Sequence, residues 1–279
     1  MQKLEFRAMG SGMAAIVDTD SPAAGERLAR IPSMFEEWED ALSRFRPDSE
    51  LSKLNRQSDS TVEVTPVLWH VLCEALGAAN LTDGLVTPTM LTALENSGYR
   101  ESFDILKGVS SVALLPQKAA GLVKQDDWRG IKLDGSKHTV TTTPGMRLDL
   151  GGIAKGWAAG KAAHWLGEIA PAMVDAGGDI AFSGSMADGT AWPIGVADPL
   201  MRDEQLDLLA LRGGGVATSG RDYRRWRVGE KWQHHILDPR TGEPAETDVL
   251  SATVVAPSAI QAEVAAKVAL ILGSQKGME

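Results

Sequence analysis

The 279-residue sequence has a single cysteine, no long apolar run and no excess of positive charge. Because Cys73 stands alone, an internal disulfide is excluded, and its apolar neighbours predict a buried, unreactive thiol. No run of about 18 apolar residues occurs, so we expect no transmembrane helix. The formal net charge of −9 argues against sequence-independent binding to nucleic acid or to an anionic membrane surface. The first residues contain no apolar signal core, which predicts a cytoplasmic protein.

The order of apolar patterns along the chain indicates a mixture of helices and strands. The expected helices are 23–42, 49–55, 66–79, 88–96, 153–169 and 258–272. The expected strands are 3–8, 13–18, 110–115, 130–133, 137–142, 172–175, 179–183, 192–196, 205–211, 223–229, 232–237 and 250–256. Successive strands are linked as in hairpins and not by helical crossovers, which favours an α+β fold with antiparallel sheets. We expect one domain over residues 1–279, with a smaller lobe at about 100–145.

The most informative segment is Leu148–Gly156, where a carboxylate and a glycine pair precede a helical pattern. Free N–H groups at a helix N-terminus attract anions, and glycines let the backbone approach a ligand closely. Asp149 suits a ribose hydroxyl or a ring N–H, and Lys155 adds a positive charge. The segment therefore suits a nucleotide, although an ordinary strand–turn–helix corner has the same pattern and is the commoner explanation of the segment by itself.

Two earlier segments combine turns with ligand-like chemistry. The glycine-rich turn Met9–Met13 suits packing against a flat ligand, although plain turns have the same composition. Phe45 lies between two arginines just before a helix start, an arrangement that suits stacking on a ring beside an anion. The alternative is a capping loop in which Asp48 or Ser49 caps the helix.

Three later segments carry carboxylates, hydroxyls or histidines. Asp175–Asp179 places two carboxylates around a glycine pair, which is typical of a metal or nucleotide site and equally of a tight turn. Thr218–Arg221 offers hydroxyls and a guanidinium that suit a phosphate. His234–Gly242 ends a predicted strand in a turn, and histidine is the usual general base near neutral pH.

In this order and spacing, the segments resemble the ApbE family of flavin transferases, which move FMN from FAD to a threonine or serine of another protein. The resemblance extends from Met9 to Gly273 and rests mainly on Ser43–Asn55, Asp149–Gly156, Asp175–Ile180 and His235–Gly242. It implies a two-lobed α+β fold, FAD as the substrate, magnesium as the metal and a flavoprotein as the acceptor.

The resemblance also implies roles for individual residues. Met9 and Phe45 lie beside the flavin, and His235 is the candidate base next to the pyrophosphate. The backbone carbonyl of Gly152 and the carboxylate of Glu263 are the implied magnesium ligands. The implied FAD-binding residues are Met9, Phe45, Leu85, Val86, Thr87, Asp149, Lys155, Asp179, Ser219 and His235.

The sequence departs from the family pattern at two places. Val86 and Thr87 stand where the family usually has phenylalanine and aspartate. In the last helix, Glu263 and Lys267 stand where the family has aspartate and, four residues later, threonine. An ammonium has no lone pair and cannot ligate magnesium, which requires oxygen ligands. Either Lys267 replaces the metal as the charge that faces the pyrophosphate, or Glu263 and Lys267 form an ordinary helix pair and the metal site is lost.

The leading hypothesis is therefore an FAD:protein FMN transferase that acts on a threonine or serine of a partner flavoprotein and releases AMP. Two other hypotheses use the same pocket. One is an FAD-binding homologue without catalysis, and the other is an FAD pyrophosphatase that yields FMN and AMP.

Overall fold

The computed structural model describes residues 1–106, 127–201 and 203–279, which form two compact units. The first unit comprises Met1–Trp38, Ile153–Gly220 and Leu250–Ala266. The second unit comprises Glu39–Gly152, Arg221–Val249 and Lys267–Glu279. The strand expected at 110–115 lies outside the described residues, and the smaller lobe at about 100–145 stays a prediction.

The bounds of the regular elements follow in chain order. The strands are β1 (Gln2–Ala8), β2 (Ser11–Val17), β3 (Thr61–Glu63), β4 (Lys132–Asp134), β5 (Thr139–Thr141), β6 (Ala172–Ala176), β7 (Asp179–Phe182), β8 (Trp192–Ala197), β9 (Gln205–Leu211), β10 (Gly215–Gly220), β11 (Arg225–Val228), β12 (Lys231–His234), β13 (Leu237–Asp238), β14 (Glu243–Pro244) and β15 (Ser251–Ala256). The helices are α1 (Pro22–Leu42), α2 (Glu50–Arg56), α3 (Pro66–Leu81), α4 (Leu91–Asn96), α5 (Phe103–Leu106), α6 (Ala154–Gly167) and α7 (Ala259–Lys276). None of the helices in the described ranges is both long and apolar enough to cross a membrane.

The first unit is built on a six-stranded antiparallel sheet with the strand order β1-β2-β6-β7-β10-β15. Alternate residues of β2 (Met13, Ala15 and Val17) are buried, as the period of two in a half-buried strand requires. Helix α6 packs against β6 and β7. The strand order follows the chain order, so the antiparallel α+β architecture expected from the sequence is confirmed.

A chain of aromatic rings joins α1 to the sheet and to α6 within the first unit. The ring centroids of Phe6 and Phe35 lie 5.2 Å apart, those of Phe35 and Trp38 5.1 Å, and those of Trp38 and Trp157 5.3 Å. Edge-to-face and tilted contacts of this kind stabilise a core beyond the area they bury. This chain of rings fixes the N-terminal half of α6, which carries Lys155 of the predicted site.

The start of α6 lies so close to α7 that only glycine fits at position 156. A Cβ on Gly156 would lie 2.8 Å from Oε2 of the buried Glu263 and 3.1 Å from the backbone of Ala259. We expect Gly156→Ala to lower the free energy of unfolding by about 1–3 kcal/mol through this overpacking. Gly160→Ala in the same helix is the matched control, because nothing lies within 4 Å of its added Cβ. The control should gain about 0.5–1 kcal/mol. Equal effects in thermal unfolding would contradict the close contact.

The second unit contains the three-stranded sheet β3-β5-β4, the hairpins β11–β12 and β13–β14, and helices α2 to α5. Its helix starts follow local capping chemistry: Ser49 Oγ accepts from the N–H of Ser52 at 3.0 Å, and Thr65 caps α3 just before Pro66. The Thr65 cap was expected from the sequence and is confirmed, and of the two alternatives Asp48 and Ser49 it is Ser49 that caps α2. One core cluster of this unit joins α4 to the β11–β12 hairpin through Leu94, Tyr99 and Trp226.

Several element boundaries differ from the sequence-based expectations. Strand β10 (Gly215–Gly220) was not expected, because its glycines and hydroxyls give no alternation; it forms because β7 and β15 pair with it on both sides. The expected strand 232–237 is two strands separated at His235. The expected helix 88–96 begins only at Leu91, because Pro88 lies in a bend and Thr89 and Met90 form a turn before it.

Candidate active site

In the first unit, Lys155 and Asp179 form a buried ion pair. Their side chains are only 15% and 4% exposed, and the lysine ammonium donates to Oδ2 of the aspartate. Lys155 lies in the first turn of α6, and Asp179 opens β7, which packs against that helix. Two predicted FAD-binding residues are thus brought together. Their charges compensate each other in a place where either one alone would be costly.

The neighbouring Asp175 shapes the turn between β6 and β7. Its Oδ1 accepts from the N–H of Gly178 at 2.7 Å, and both glycines of the turn have positive φ, 70° at Gly177 and 97° at Gly178. Burial raises the pKa of the Asp175 carboxyl, and the hydrogen bond from Gly178 and the charge of Lys155 oppose this rise. The two carboxylates of this segment therefore have different partners: Asp175 holds the turn and Asp179 holds Lys155.

Met9 occupies the tip of the β1–β2 hairpin in a left-handed conformation. The register pairs Ala8 with Ser11, so the loop contains only two residues, and their φ values are 47° at Met9 and 66° at Gly10. Two positive φ angles are the geometry of a tight hairpin turn that matches the twist of the strands. A non-glycine residue there costs roughly 1–2 kcal/mol, and such local strain is common at ligand sites.

Two further predicted residues of the first unit are buried in regular structure. Glu263, 3% exposed, accepts through Oε2 from the N–H of Gly156 at 3.1 Å, so its carboxylate lies at the N-terminal turn of α6. A carboxylate is favourable there because helix N-termini attract negative charge. Ser219 is buried in β10 opposite Ala252 of β15.

In the second unit, Asp149 is held by Arg44 and by its own backbone. Nε of Arg44 lies 2.7 Å from Oδ2 of Asp149, with side chains that are 5% and 14% exposed. Oδ1 of Asp149 accepts from the N–H of Gly151 at 3.0 Å. Nη2 of Arg44 is buried and makes no hydrogen bond to any other residue that the structure describes. In the sequence Arg44 stands out only as a neighbour of Phe45, and its pairing with Asp149 required the tertiary structure.

Asn55 joins the two motifs that surround this ion pair. Its Nδ2 donates to the carbonyl of Leu148 at 2.9 Å, and its Oδ1 accepts from the N–H of Leu148 at 2.7 Å. The side-chain amide thereby pairs with the backbone of Leu148 as a neighbouring strand would. It fixes the position of Leu148, which directly precedes Asp149. This explains why an asparagine at the end of α2 accompanies the glycine-rich turn in the sequence.

Phe45 is the exposed end of a row of aromatic rings. Its centroid lies 5.6 Å from that of Tyr99, which lies 5.0 Å from that of Trp226. The Arg44 guanidinium covers both of the first two rings, 4.0 Å from Phe45 and 4.6 Å from Tyr99. Phe45 is 39% exposed whereas Tyr99 and Trp226 are buried, and burial raises the pKa of the Tyr99 hydroxyl. The arrangement presents one face of Phe45 on a rigid base, as ring stacking requires.

The segment that departs from the family pattern lines a cleft of about 440 Å³ in the second unit. Leu85 and Thr87 reach the cleft, together with Trp128 and Arg240. Val86 does not line it: this side chain is 6% exposed, and its N–H donates to Thr82 Oγ1 at 3.0 Å. A valine at this position packs in the core and offers no stacking surface.

His235 lies between β12 and β13, and a polar turn follows between β13 and β14. Asp238 binds the Arg240 guanidinium and accepts through its backbone carbonyl from the N–H of Gly242 at 2.8 Å. Ile236, next to His235, is buried with residues of α7. The side chain of His235 itself is half-buried. Burial lowers the pKa of the adjacent His234, and a backbone hydrogen bond with Ala245 opposes this shift.

The residues that the resemblance assigns to magnesium do not fit that ion. Nζ of Lys267 donates to the carbonyl oxygen of Gly152 at 2.9 Å, so an ammonium lies against the oxygen that would ligate the metal. No group of three or more histidine, cysteine or acidic residues in the described ranges has the geometry of a metal site. Magnesium needs several oxygens in octahedral geometry, and a neighbouring positive charge repels it.

A sequence profile described as the ApbE family matches residues 9–279. The chain belongs to the ApbE family. This confirms the family inferred from the order of the motifs, and the match includes the Asp149 turn, the Asp179 turn and the His235 segment.

Three relatives of the ApbE family illustrate the similarity. The chain is 33% identical to an FAD:protein FMN transferase of Chlamydia muridarum over 77% of this chain and 65% of that protein, so it spans just under two thirds of that relative. It is 32% identical to a protein of the same name from Treponema pallidum over 89% of this chain and 72% of that protein. A third relative of this name, from Salmonella typhimurium, is 26% identical over 100% of this chain and 80% of that protein.

Solved structures of the ApbE family have the same fold. The ApbE protein of Thermotoga maritima superposes with a TM-score of 0.85 at 29% identity, over 97% of this chain and 86% of that chain. The flavin transferase ApbE of Vibrio cholerae gives a TM-score of 0.79 at 24% identity, over 99% and 89% of the two chains. The α+β fold class is therefore confirmed.

Proposed function

We propose that this chain is an FAD:protein FMN transferase, which moves FMN from FAD to a threonine or serine hydroxyl of a partner flavoprotein and releases AMP. The observation that carries the proposal is the ApbE match over residues 9–279, with relatives of that name at 33% and 32% identity. FAD is the substrate and the flavoprotein is the acceptor. A cytoplasmic location stays a prediction from the sequence.

In the proposed reaction, the acceptor hydroxyl oxygen attacks the phosphorus on the FMN side of the FAD pyrophosphate. A new P–O bond forms, the P–O bond to the bridging oxygen breaks, and AMP leaves with that oxygen. The hydroxyl proton passes to His235, the proposed general base. Phosphoryl transfer of this kind depends on positioning and on positive charge near the phosphates. Magnesium has no step in this scheme, because the Lys267 ammonium donates to the Gly152 carbonyl oxygen that would ligate it.

In the first unit, the proposed FAD contacts are Met9, Lys155, Asp179 and Ser219. In the second unit they are Phe45, Leu85, Thr87, Asp149 and His235. The left-handed backbone at Met9 and the exposed face of Phe45 support the flavin contacts. Because Val86 is buried, its side chain contributes packing in the core.

The test of this function is a reaction of the purified chain with FAD and a flavoprotein domain that carries a target threonine. We expect covalent flavin fluorescence on the domain in a denaturing gel and an equal amount of AMP by chromatography. The matched control is the same domain with that threonine changed to valine, which should stay unlabelled. Free FMN and AMP without labelling would indicate an FAD pyrophosphatase, and bound but intact FAD would indicate a binding protein.

A further inference from the structure

The Lys267 side chain lies where the family resemblance implies a metal ion. Its Nζ donates to the carbonyl oxygen of Gly152 at 2.9 Å, although the two residues are 115 positions apart. A Cβ on Gly152 would lie 3.2 Å from Nζ and 3.3 Å from Cε of Lys267. The lysine stem and ammonium therefore pass directly over the glycine. A side chain at position 152 would contact them more closely than side chains ordinarily pack.

The packing of α7 holds Lys267 in this place. Leu270 and Ile271, one turn further along the helix, are 0% and 5% exposed and form a core cluster with Ile236 and Ala245. Residues three and four positions apart lie on the same side of a helix, so the turn that carries Lys267 faces this cluster. Ile236 is the residue after His235. Helix α7, which carries Lys267, and the segment that carries His235 thus pack on the same core cluster of the second unit.

The chemistry of the ammonium decides what it can do there. It has three N–H donors and no lone pair, so it cannot ligate a metal. One donor is used by the Gly152 carbonyl. Lysine is also a common binder of phosphate as a compact positive charge. The positive charge of Lys267 beside this carbonyl oxygen attracts a phosphate oxygen and repels a second cation.

We propose that Lys267 serves as a built-in cation that replaces the divalent metal at the Gly152 carbonyl and contacts the FAD pyrophosphate. This inference rests on the proposed function and adds to it that FAD binding and FMN transfer in this chain require no divalent metal. The Lys267 charge then stabilises the phosphate oxygens as AMP leaves, while the proton of the acceptor goes to His235.

The first experiment measures FAD affinity by flavin fluorescence, and FMN transfer by gel fluorescence, in EDTA and in magnesium chloride. We expect the same affinity and the same rate in both. Lys267→Met should weaken FAD binding about tenfold or more, the size expected for loss of a hydrogen bond to a charged group. Lys267→Arg keeps the charge and should retain part of the affinity. Lys276→Met, at the exposed end of α7, is the matched control and should change neither value.

A second experiment does not depend on activity. Binding of Mn²⁺ to the FAD-free protein, followed by electron paramagnetic resonance, should be absent in the unsubstituted chain. Glu263→Asp combined with Lys267→Thr restores the residue types of the family and should create Mn²⁺ binding. Unfolding temperatures of all variants show whether each one is folded.

The outcomes separate this inference from the proposed function. Transfer that stops in EDTA and returns with magnesium would overturn the role of Lys267 and leave the transferase function standing. Mn²⁺ binding by the unsubstituted protein at micromolar concentration would also overturn it. FAD binding in neither condition would overturn the proposed function, and the inference with it.

Discussion

Replacement of His235 by alanine should lower the rate of FMN transfer by about 10²–10⁴-fold while FAD still binds. The expected loss is mainly in kcat, because a general base acts on the acceptor hydroxyl in the transition state. FAD affinity should fall much less, although His235 is also a proposed FAD contact. The surroundings of His235 support retention of the fold: the side chain is half-buried, and the turn after β13 is built by Asp238 and Arg240 without it.

The His235 prediction is checked by steady-state transfer with FAD held at saturation and by a separate FAD titration. His164→Ala, at an exposed position of α6, is the control and should leave both measurements unchanged. Added imidazole should partly restore transfer by His235→Ala, which a merely structural role would not explain. Unchanged turnover in His235→Ala would remove this histidine as the base.

Replacement of Asp179 by alanine should lower the free energy of unfolding by about 3–5 kcal/mol, because it leaves the buried ammonium of Lys155 without its carboxylate. In a chain of this size the unfolding temperature should fall by roughly 10 °C. The side chains of the pair are 4% and 15% exposed, so water can replace little of the lost interaction. FAD affinity should fall as well, since both residues are proposed FAD contacts.

Two further variants test the pairing in Asp179→Ala. Asp203→Ala removes an exposed carboxylate of the same unit and should change the unfolding temperature little. Asp179→Leu combined with Lys155→Met replaces the pair with apolar side chains and should recover most of the stability while FAD binding stays weak. If Asp179→Ala unfolds at the same temperature as the unsubstituted protein, the ion pair contributes nothing to stability.

The family, the α+β class and most helices were predictable because their signals are local. Ser49 and Thr65 stand immediately before helical patterns, and each caps the helix that follows it. The apolar run at the end of β2 indicates a strand from consecutive positions, and the structure adds which of these residues are buried, namely Met13, Ala15 and Val17. Strand β10 gave no such signal, since partners on both sides, and not its own composition, make it a strand.

The sequence alone determined which residue types carry the chemistry and in which order they stand, because motif spacing and periodicity are properties of neighbouring positions. Only the tertiary structure decided their partners. Arg44 with Asp149, Asn55 with Leu148 and Lys267 with Gly152 are each separated by about a hundred residues or more. Such pairs form because sheet pairing and core packing bring distant segments together, and no local pattern encodes that distance. For this reason the sequence left two interpretations of Lys267 open, and the structure places its ammonium on the Gly152 carbonyl.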